Sequence, residues 1–313
     1  MTFIIAEVGS NWLTLDHCIE SVIYAKRAGA DAVKFQLYDD EALYGPVKGF
    51  GLVKEHLSLD WLPKIHKQCE DSDIEFMCSA FSPKLLAIVN HYVKRHKLAS
   101  AEMRHPEMLQ LLNGWRKPVL VSTGGHPMNH IKDTYDYLKR HCDVTIMHCV
   151  SAYPAKIQRL GALPDIYKSL ESPLYCPPLG FSDHSLDACV TPVMAMRSGA
   201  NVIEKHVNFV GALGPDSPHS LNGAEFAHMV NHIRSDTFLC HERDLELSGE
   251  KDMVTKHHRR LIAIQNIAPG DQLILNKNCG YYRSLKPSEG SIIQPQDLEH
   301  FIVNETILRG ESI

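Results

Sequence analysis

Polar residues that can do chemistry recur at the ends of short β-type runs in this 313-residue chain. In order they are Glu7 and Asn11, Lys34 and Gln36, Ser79 and Ser82, then Lys97, Ser100 and Glu102. Ser122 and Thr123, His148, Ser151 and Tyr153, Ser182, Asp183 and His184, and finally Glu204, Lys205 and His206 follow. Two imidazoles at the ends of neighbouring strands, His184 and His206, suit an octahedral or open metal site completed by water and substrate oxygens. A single strand-end histidine is more often a hydrogen-bonded core group; the pairing is what points to a metal. Lys34 and Lys97 supply point charge and Ser100, Ser122 and Ser182 supply hydroxyl donors, a combination that binds a phosphate and a carboxylate. The competing use of such a lysine is a Schiff base, which needs a depressed pKa. Asp216, in the turn-rich Gly211–Asp216, can hydrogen-bond a sugar hydroxyl, although an ordinary Asp turn reads the same way.

These residues need a scaffold that gathers strand ends. Candidate strands are Phe3–Gly9, Ala32–Gln36, Ile74–Ala80, Lys97–Ser100, Pro118–Thr123, Val144–Cys149, Leu179–His184 and Asn201–Asn208. Between them, Leu15–Ala28, Trp61–Glu70, Met128–Arg140, Leu186–Arg197 and Ala224–Leu239 carry apolar residues at helical spacing. Ala28-Gly29-Ala30-Asp31 and Ser198-Gly199-Ala200-Asn201 each place glycine where a helix stops and a strand begins. Eight strand–helix units in the first ~240 residues is the arithmetic of a (β/α)8 TIM barrel, whose active sites lie at the C-terminal ends of the strands. A doubly wound open sheet is the competing architecture, favoured by fewer than eight strands. Strand alternation puts Lys34 with Gln36 on one face, and Glu204 with His206 on one face. One polar residue inside a barrel is commonly a satisfied internal ion pair; eight strands ending this way together are not explained so.

The expected domains are a barrel over 1–240, a charged linker over 241–258 and a small β-rich domain over 259–313. The linker histidines His257 and His258 read as solvated. The texture changes after Arg260, with the turn Ala268-Pro269-Gly270-Asp271 and the Gly/Pro-rich Lys286-Pro287-Ser288-Glu289-Gly290. A unit of about 55 residues has a marginal core of its own and is expected to pack on the barrel or on another subunit. The net charge of −5 and the absence of a Lys/Arg-rich stripe disfavour nucleic acid. Apolar runs fall far short of the ~20 residues of a membrane span, and the first residues do not read as a secretory signal. Nine cysteines, odd in number and without a C-x-x-C pair, exclude a zinc ribbon or disulfide framework and suit reduced thiols in a cytoplasmic protein.

Seven strings also resemble the sialic acid synthase (N-acetylneuraminate synthase) family, in the family's order. They are Ile5-Ala-Glu7-Val-Gly9-Ser10-Asn11, Ala28-Gly-Ala-Asp-Ala-Val-Lys34-Phe-Gln36, Lys97-Leu-Ala-Ser100-Ala-Glu102, Val121-Ser122-Thr-Gly124, Gly180-Phe-Ser182-Asp-His184-Ser185, Val202-Ile-Glu204-Lys-His206 and Gly214-Pro-Asp216. Residues 260–310 resemble the family's antifreeze-like (SAF, β-clip) domain. The resemblance implies a metal-dependent condensation of phosphoenolpyruvate with an N-acyl-mannosamine-type sugar, forming a nine-carbon 2-keto acid and releasing phosphate. Position by position it makes His184 and His206 ligands of a divalent metal, manganese first, with magnesium and cobalt as alternatives. Lys34 would meet the phosphoenolpyruvate carboxylate, and Lys97, Ser100, Ser122 and Ser182 its phosphate. Gln36, Glu102, Tyr153 and Asp216 would face the sugar, and Glu7 would be a catalytic carboxylate beside the metal and its water. Arg283 matches an arginine that reaches the partner subunit's active site in a domain-swapped homodimer. The metal would polarise the sugar aldehyde as a Lewis acid.

Four departures bear on substrate identity more than on reaction type. The chain starts almost at strand one, so the leading hairpin that plugs the barrel floor in many members is expected to be absent. Ala80 replaces a threonine, and Ser151 stands where many members place asparagine beside the phosphate. The arginine loop reads Lys286-Pro-Ser-Glu-Gly290 rather than a simple Pro-x-x-Gly. Sibling synthases for legionaminic or pseudaminic acid vary at such positions. Two other readings stay open, a Schiff-base aldolase using Lys34 or Lys97 and a non-catalytic sugar-binding protein.

Overall fold

Two apolar layers, separated by the alternation of side chains along each strand, build the first part of the molecule. The computed structural model describes residues 2–38, 43, 57–157, 163–170, 176–236, 259–283, 298 and 300–313. Its chain divides into two units, Met1–Leu239 and Cys240–Ile313.

In the first unit eight strands alternate with eight helices among the described residues. The strands are β1 (Phe3–Gly9), β2 (Ala32–Leu37), β3 (Glu75–Ala80), β4 (His96–Leu98), β5 (Val119–Ser122), β6 (Val144–Cys149), β7 (Leu179–Asp183) and β8 (Ala200–Asn208). The helices are α1 (Leu15–Arg27), α2 (Leu62–Asp71), α3 (Pro83–Val89), α4 (Pro106–Trp115), α5 (Met128–Leu138), α6 (Leu163–Leu170), α7 (Val190–Arg197) and α8 (Gly223–Asp236). Neighbouring strands pair in parallel in the order β3-β2-β1-β8-β7-β6-β5-β4, and β3 lies against β4, closing the ring. This is the (β/α)8 barrel expected from the alternation of segments.

One set of strand residues, including Ile4, Val33, Phe35, Val121, Ile146 and Ile203, packs outward on Val22, Leu62, Ile65, Leu86 and Phe226 of the helices. The alternate set, Ile5, Ala32, Met77, Leu120, Met147 and Val202, forms a separate cluster inside the barrel. A Cβ on Gly180 would lie 2.2 Å from the Met147 Sδ, so glycine there makes room for this inner layer. Burying each large side chain contributes roughly 1.5–3 kcal/mol. The inner apolar layer also closes the barrel beneath the strand ends, where polar residues take over.

Helix boundaries have local causes. Thr14 and Ser82 accept from the backbone N–H of His17 and Leu85, capping α1 and α3. Pro83 and Pro106 occupy first-turn positions that need no N–H. Gly29 and Gly199 adopt φ of +86° and +108°, the left-handed stops expected from their motifs. Helix α7 begins at Val190 rather than Leu186. The Asp187 carboxylate accepts from the N–H groups of Cys189 and Thr191, holding the preceding residues in a non-helical turn. Strand β4 ends at Leu98, and Ser100–Glu102 form one 3-10 turn instead of extending it.

The second unit is a small β-rich body with its own core of Leu261, Ala263, Ile267, Leu273, Cys279, Leu298 and Val303. Strands β9 (Leu221–Asn222, in the first unit), β10 (Arg259–Ala263) and β11 (Cys279–Arg283) complete the set, the last two pairing antiparallel. The charged segment 241–258, with His257 and His258, and the loop 286–290 lie outside the described residues. No described helix is long and apolar enough to cross a membrane.

Two outward-facing histidines make barrel stability depend on pH. Buried His96 bonds Asn90 Oδ1 through Nε2 at 3.0 Å and stacks on Trp115, while its Nδ1 has no hydrogen-bond partner among the described residues. Burial, helped by the Lys117 charge, pushes His96 down to about 4. Burial does the same to His148, which stacks on Phe181. Both rings are therefore neutral in the fold and take up protons on unfolding below the ordinary value of 6.5. Their contribution is full above pH 6.5 and is lost as pH falls toward 4. Between pH 7.5 and 5.0 each should cost on the order of 1–2 kcal/mol. His148→Phe, compared with the parent chain by urea unfolding at both values, should lose less stability on acidification; an equal loss contradicts the assignment.

Candidate active site

At the C-terminal mouth of the barrel a cavity of about 510 Å³ receives side chains from all eight strands or the loops that follow them. Its base is a buried charge network. Lys34 Nζ lies 3.0 Å from Glu7 Oε1, 3.5 Å from Glu204 Oε2 and 3.1 Å from Ser79 Oγ. Lys97 Nζ lies 3.4 Å from Glu204 Oε1, to which Ser182 Oγ donates at 2.9 Å. Gln36 Nε2 donates to Glu7 Oε1 at 2.8 Å. All four charged side chains are 5 % exposed or less.

The charges divide unequally. Burial pushes the Glu7 carboxyl up; Lys34 pulls it back only in part, and the Glu204 charge pushes with burial. Burial opposes the Glu204 carboxylate as well, yet Lys34 and Lys97 together hold it below the usual range. Burial also opposes the Lys34 charge, but Glu204 and Glu7 outweigh it and keep the ammonium protonated. For Lys97 burial wins and its pKa falls. Of the two lysines, then, Lys34 is unsuited to a Schiff base.

Beside this network stand the serines. Ser100 Oγ accepts from the Gly124 N–H at 2.9 Å and lies 3.1 Å from Cys149 Sγ. A Cβ on Gly124 would sit 2.1 Å from Ser151 Oγ and 3.1 Å from Ser100 Oγ, so glycine lets the loops after β4, β5 and β6 converge. Ser122 Oγ is buried without a hydrogen-bond partner among the described residues, as are Glu7 Oε2 and His206 Nδ1. Orphaned buried polar atoms concentrated in one cavity mark groups awaiting a ligand.

The opposite side is made of imidazoles and Asp216. His184 and His206 have ring centroids 5.7 Å apart, and Tyr153 lies 4.3 Å from His184. His184 Nδ1 donates to the Val150 carbonyl at 2.8 Å, which leaves Nε2 as the lone-pair nitrogen. Burial pushes His184 down to about 4 and His206 to about 3, so both are neutral, the form that binds metals. The donor set therefore fits a divalent cation. His219 joins it: His206, Asp216 and His219 each offer a ligand atom, all within 4.8 Å of one another. The strand-end pattern gave no sign of His219, which follows a proline in a loop; its spacing of three from Asp216 was the available signal.

Most residues singled out in the sequence meet here: Glu7, Lys34, Gln36, Lys97, Ser100, Ser122, Ser151, Tyr153, Ser182, His184, His206 and Asp216 all line the cavity. Glu102 does not. The tight turn after β4 delivers Ser100 and Ala101 to the cavity and leaves Glu102 half-buried outside its lining. The backbone of Arg283 pairs with Arg259 in the second unit. Asp183, Lys205 and His148 face the helices, as alternation requires of neighbours of inward residues.

A family model described as the NeuB family matches residues 21–240. The chain belongs to the NeuB family. An uncharacterised protein of Methanocaldococcus jannaschii is 31% identical over 280 residues, spanning 87% of this chain and 82% of that protein. The N,N'-diacetyllegionaminic acid synthase of Legionella pneumophila is 28% identical, spanning 99% of this chain and 94% of that enzyme. Among solved structures, the N-acetylneuraminic acid (sialic acid) synthetase of Leptospira borgpetersenii in complex with citrate superposes with a TM-score of 0.71 at 27% identity, covering 81% of this chain and 90% of that one.

In this NeuB-family barrel one buried ion pair secures the loop that carries His184. Lys205 Nζ bonds Asp183 Oδ2 at 2.8 Å, Ser185 Oγ at 3.1 Å and the Asp187 carbonyl at 2.9 Å, with Lys205 and Asp183 side chains fully buried. Thr191 Oγ1 donates to the same carboxylate at 2.7 Å. Lys205→Met leaves Asp183 charged and uncompensated, so it should lose about 3–5 kcal/mol in urea unfolding. A loss under about 1 kcal/mol would show that the pair does not secure the loop.

Proposed function

We propose that this chain condenses phosphoenolpyruvate with an N-acyl-mannosamine-type sugar, giving a nine-carbon 2-keto sugar acid and inorganic phosphate. One observation carries the reading: a single cavity sets two buried lysines and their serines against a wall of neutral imidazoles, Asp216 and Tyr153. A dianionic donor and a hydroxylated acceptor need those two kinds of wall. The names of the Legionella and Leptospira relatives support it.

In this reading Lys34 and Ser79 take the donor's carboxylate, and Lys97 with Ser100, Ser122, Ser151 and Ser182 takes its phosphate. Gln36, Tyr153 and Asp216 orient the acceptor. C3 of phosphoenolpyruvate bonds to the sugar's carbonyl carbon, water adds at C2, and the C2–O bond to phosphate breaks. Glu7, with Oε2 unpartnered and Oε1 fixed by Gln36 and Lys34, exchanges the proton of that water. The lysines position the donor and offset its charge in a site shielded from bulk water. A divalent cation, manganese first, held by His184 and His206 would act as a Lewis acid on the sugar carbonyl when bound. The second unit is read as the antifreeze-like domain of a swapped homodimer, with Arg283 serving the partner's cavity. A cytoplasmic location belongs to the same proposal, supported by eight described cysteines that are all free thiols, six of them buried.

The Lys97 pKa, lowered by burial, favours one other reading, a Schiff-base aldolase. The experiment is phosphate release with manganese, phosphoenolpyruvate and a panel of mannosamine-type sugars, including 6-phosphates and the legionaminic and pseudaminic precursors. Release should require both substrates, and Lys97→Ala should lose on the order of 100-fold or more in kcat/KM. Arg283→Ala should lose activity too, and mixing it with Lys97→Ala should restore part of it. Pyruvate turnover with borohydride trapping of the chain, and no phosphate, would overturn the proposal in favour of the aldolase.

A further inference from the structure

We propose that His219 is a protein ligand of the divalent cation, completing a three-residue site with His206 and Asp216. This deepens the synthase reading and rests on it only for the use to which the cation is put.

The third ligand comes from the loop after β8. Ser217–His219 form a single 3-10 turn, closed by Ser217 N–H to the Gly214 carbonyl at 3.1 Å and His219 N–H to the Asp216 carbonyl at 3.2 Å. In 3-10 geometry residues three apart eclipse, so Asp216 and His219 present their side chains to the same place. That place is His206, whose ring centroid lies 4.9 Å from that of His219.

The carboxylate is already fixed by one oxygen. Asp216 Oδ2 accepts from the Ser10 N–H at 2.8 Å and rests on Gly9, where a Cβ would come within 2.2 Å of it. Oδ1 is turned to His219 Nε2, 3.3 Å away. This contact lacks hydrogen-bond geometry, and Nε2 is buried with no hydrogen-bond partner among the described residues. Two co-ligands of one cation face one another in this way. His206 Nδ1 is likewise buried and unpartnered.

The loop is also anchored to the strands that flank the site. Asn11 Nδ2 donates both to the Val207 carbonyl at 3.1 Å, one residue beyond His206, and to Ser220 Oγ at 2.8 Å. Ser220 Oγ in turn donates to the Asp216 carbonyl at 2.7 Å. Two imidazoles and one carboxylate on a pre-set frame suit manganese, cobalt or zinc, with open positions left for substrate. His184 lies outside the group whose ligand atoms are mutually within 4.8 Å; His219 and Asp216 thus add donors to the His184 and His206 pair rather than replacing His184.

The test is equilibrium binding of Mn²⁺ to the full, chelator-stripped chain without substrates, followed by the EPR signal of the free ion. His219→Ala should weaken binding about 100-fold or more, since even outer-shell partners cost 10–100-fold. His184→Ala, which removes a ligand already assigned, should weaken it to a comparable extent and serves as the reference. Circular dichroism checks the fold of each variant. If His219→Ala is misfolded, Co²⁺ bound to the more conservative His219→Gln should show an altered visible spectrum relative to the parent. Unchanged Mn²⁺ affinity in His219→Ala, or an unchanged Co²⁺ spectrum in His219→Gln, overturns the proposal. Tight triad binding with no phosphate release from any sugar would refute the synthase reading and leave the site standing. Phosphate release with parental Mn²⁺ affinity in His219→Ala would do the reverse.

Discussion

Lys34 is clamped between Glu7 and Glu204 at the level where the barrel's inner apolar layer ends, and the rest of the mouth is arranged around that clamp. Taking four charged side chains out of water carries a large desolvation penalty, repaid only when geometry and hydrogen bonds are good. Here Ser79, Ser182 and Gln36 complete the network, yet one oxygen of each glutamate lacks a hydrogen bond. The arrangement is more costly than an apolar core and less than fully satisfied. That combination makes sense if an anionic substrate takes over the lysines, and if Glu7, pushed up by burial, handles a proton.

The same network orders the walls. Lys34 and Lys97 lie on β2 and β4, Glu204 on β8, so the cationic side of the cavity spans the ring and the imidazole side is left to β7, β8 and the loop behind them. Gly9, Gly124, Gly180 and Gly214 supply close approach at four points where loops or inner side chains would otherwise collide. Each sits inside a motif that resembles the family, and each has a steric reason for being there.

Much of this was legible from alternation alone. Glu7, Lys34, Ser79, Ser122 and Glu204 sit two residues beyond apolar inner-layer positions, and His206 two beyond Glu204, so period two put them in the mouth. The same rule read strictly would have removed Asp183, Lys205 and His148 from the strand-end set, because they neighbour inward residues and face the helices. What alternation cannot reach is decided by loops. Glu102 was kept from the cavity by a one-turn helix closed by backbone hydrogen bonds, whereas α7 was shortened by the Asp187 side chain accepting from the backbone. His219 escaped notice because a 3-10 turn, with its own three-residue repeat, aligns it with Asp216. The side chain of Arg283 is not among the described ones, and its role rests on the motif around it.

The most direct measurement follows the oxygen that bridges C2 and phosphorus in the donor. Phosphoenolpyruvate carrying ¹⁸O at that position, turned over with the accepted sugar, should deliver the label to inorganic phosphate, because water adds at C2 and the C–O bond breaks. Label retained in the 2-keto sugar acid would mean P–O cleavage to an enol, followed by aldol addition, and would contradict the role given to the lysines, Glu7 and the water between them.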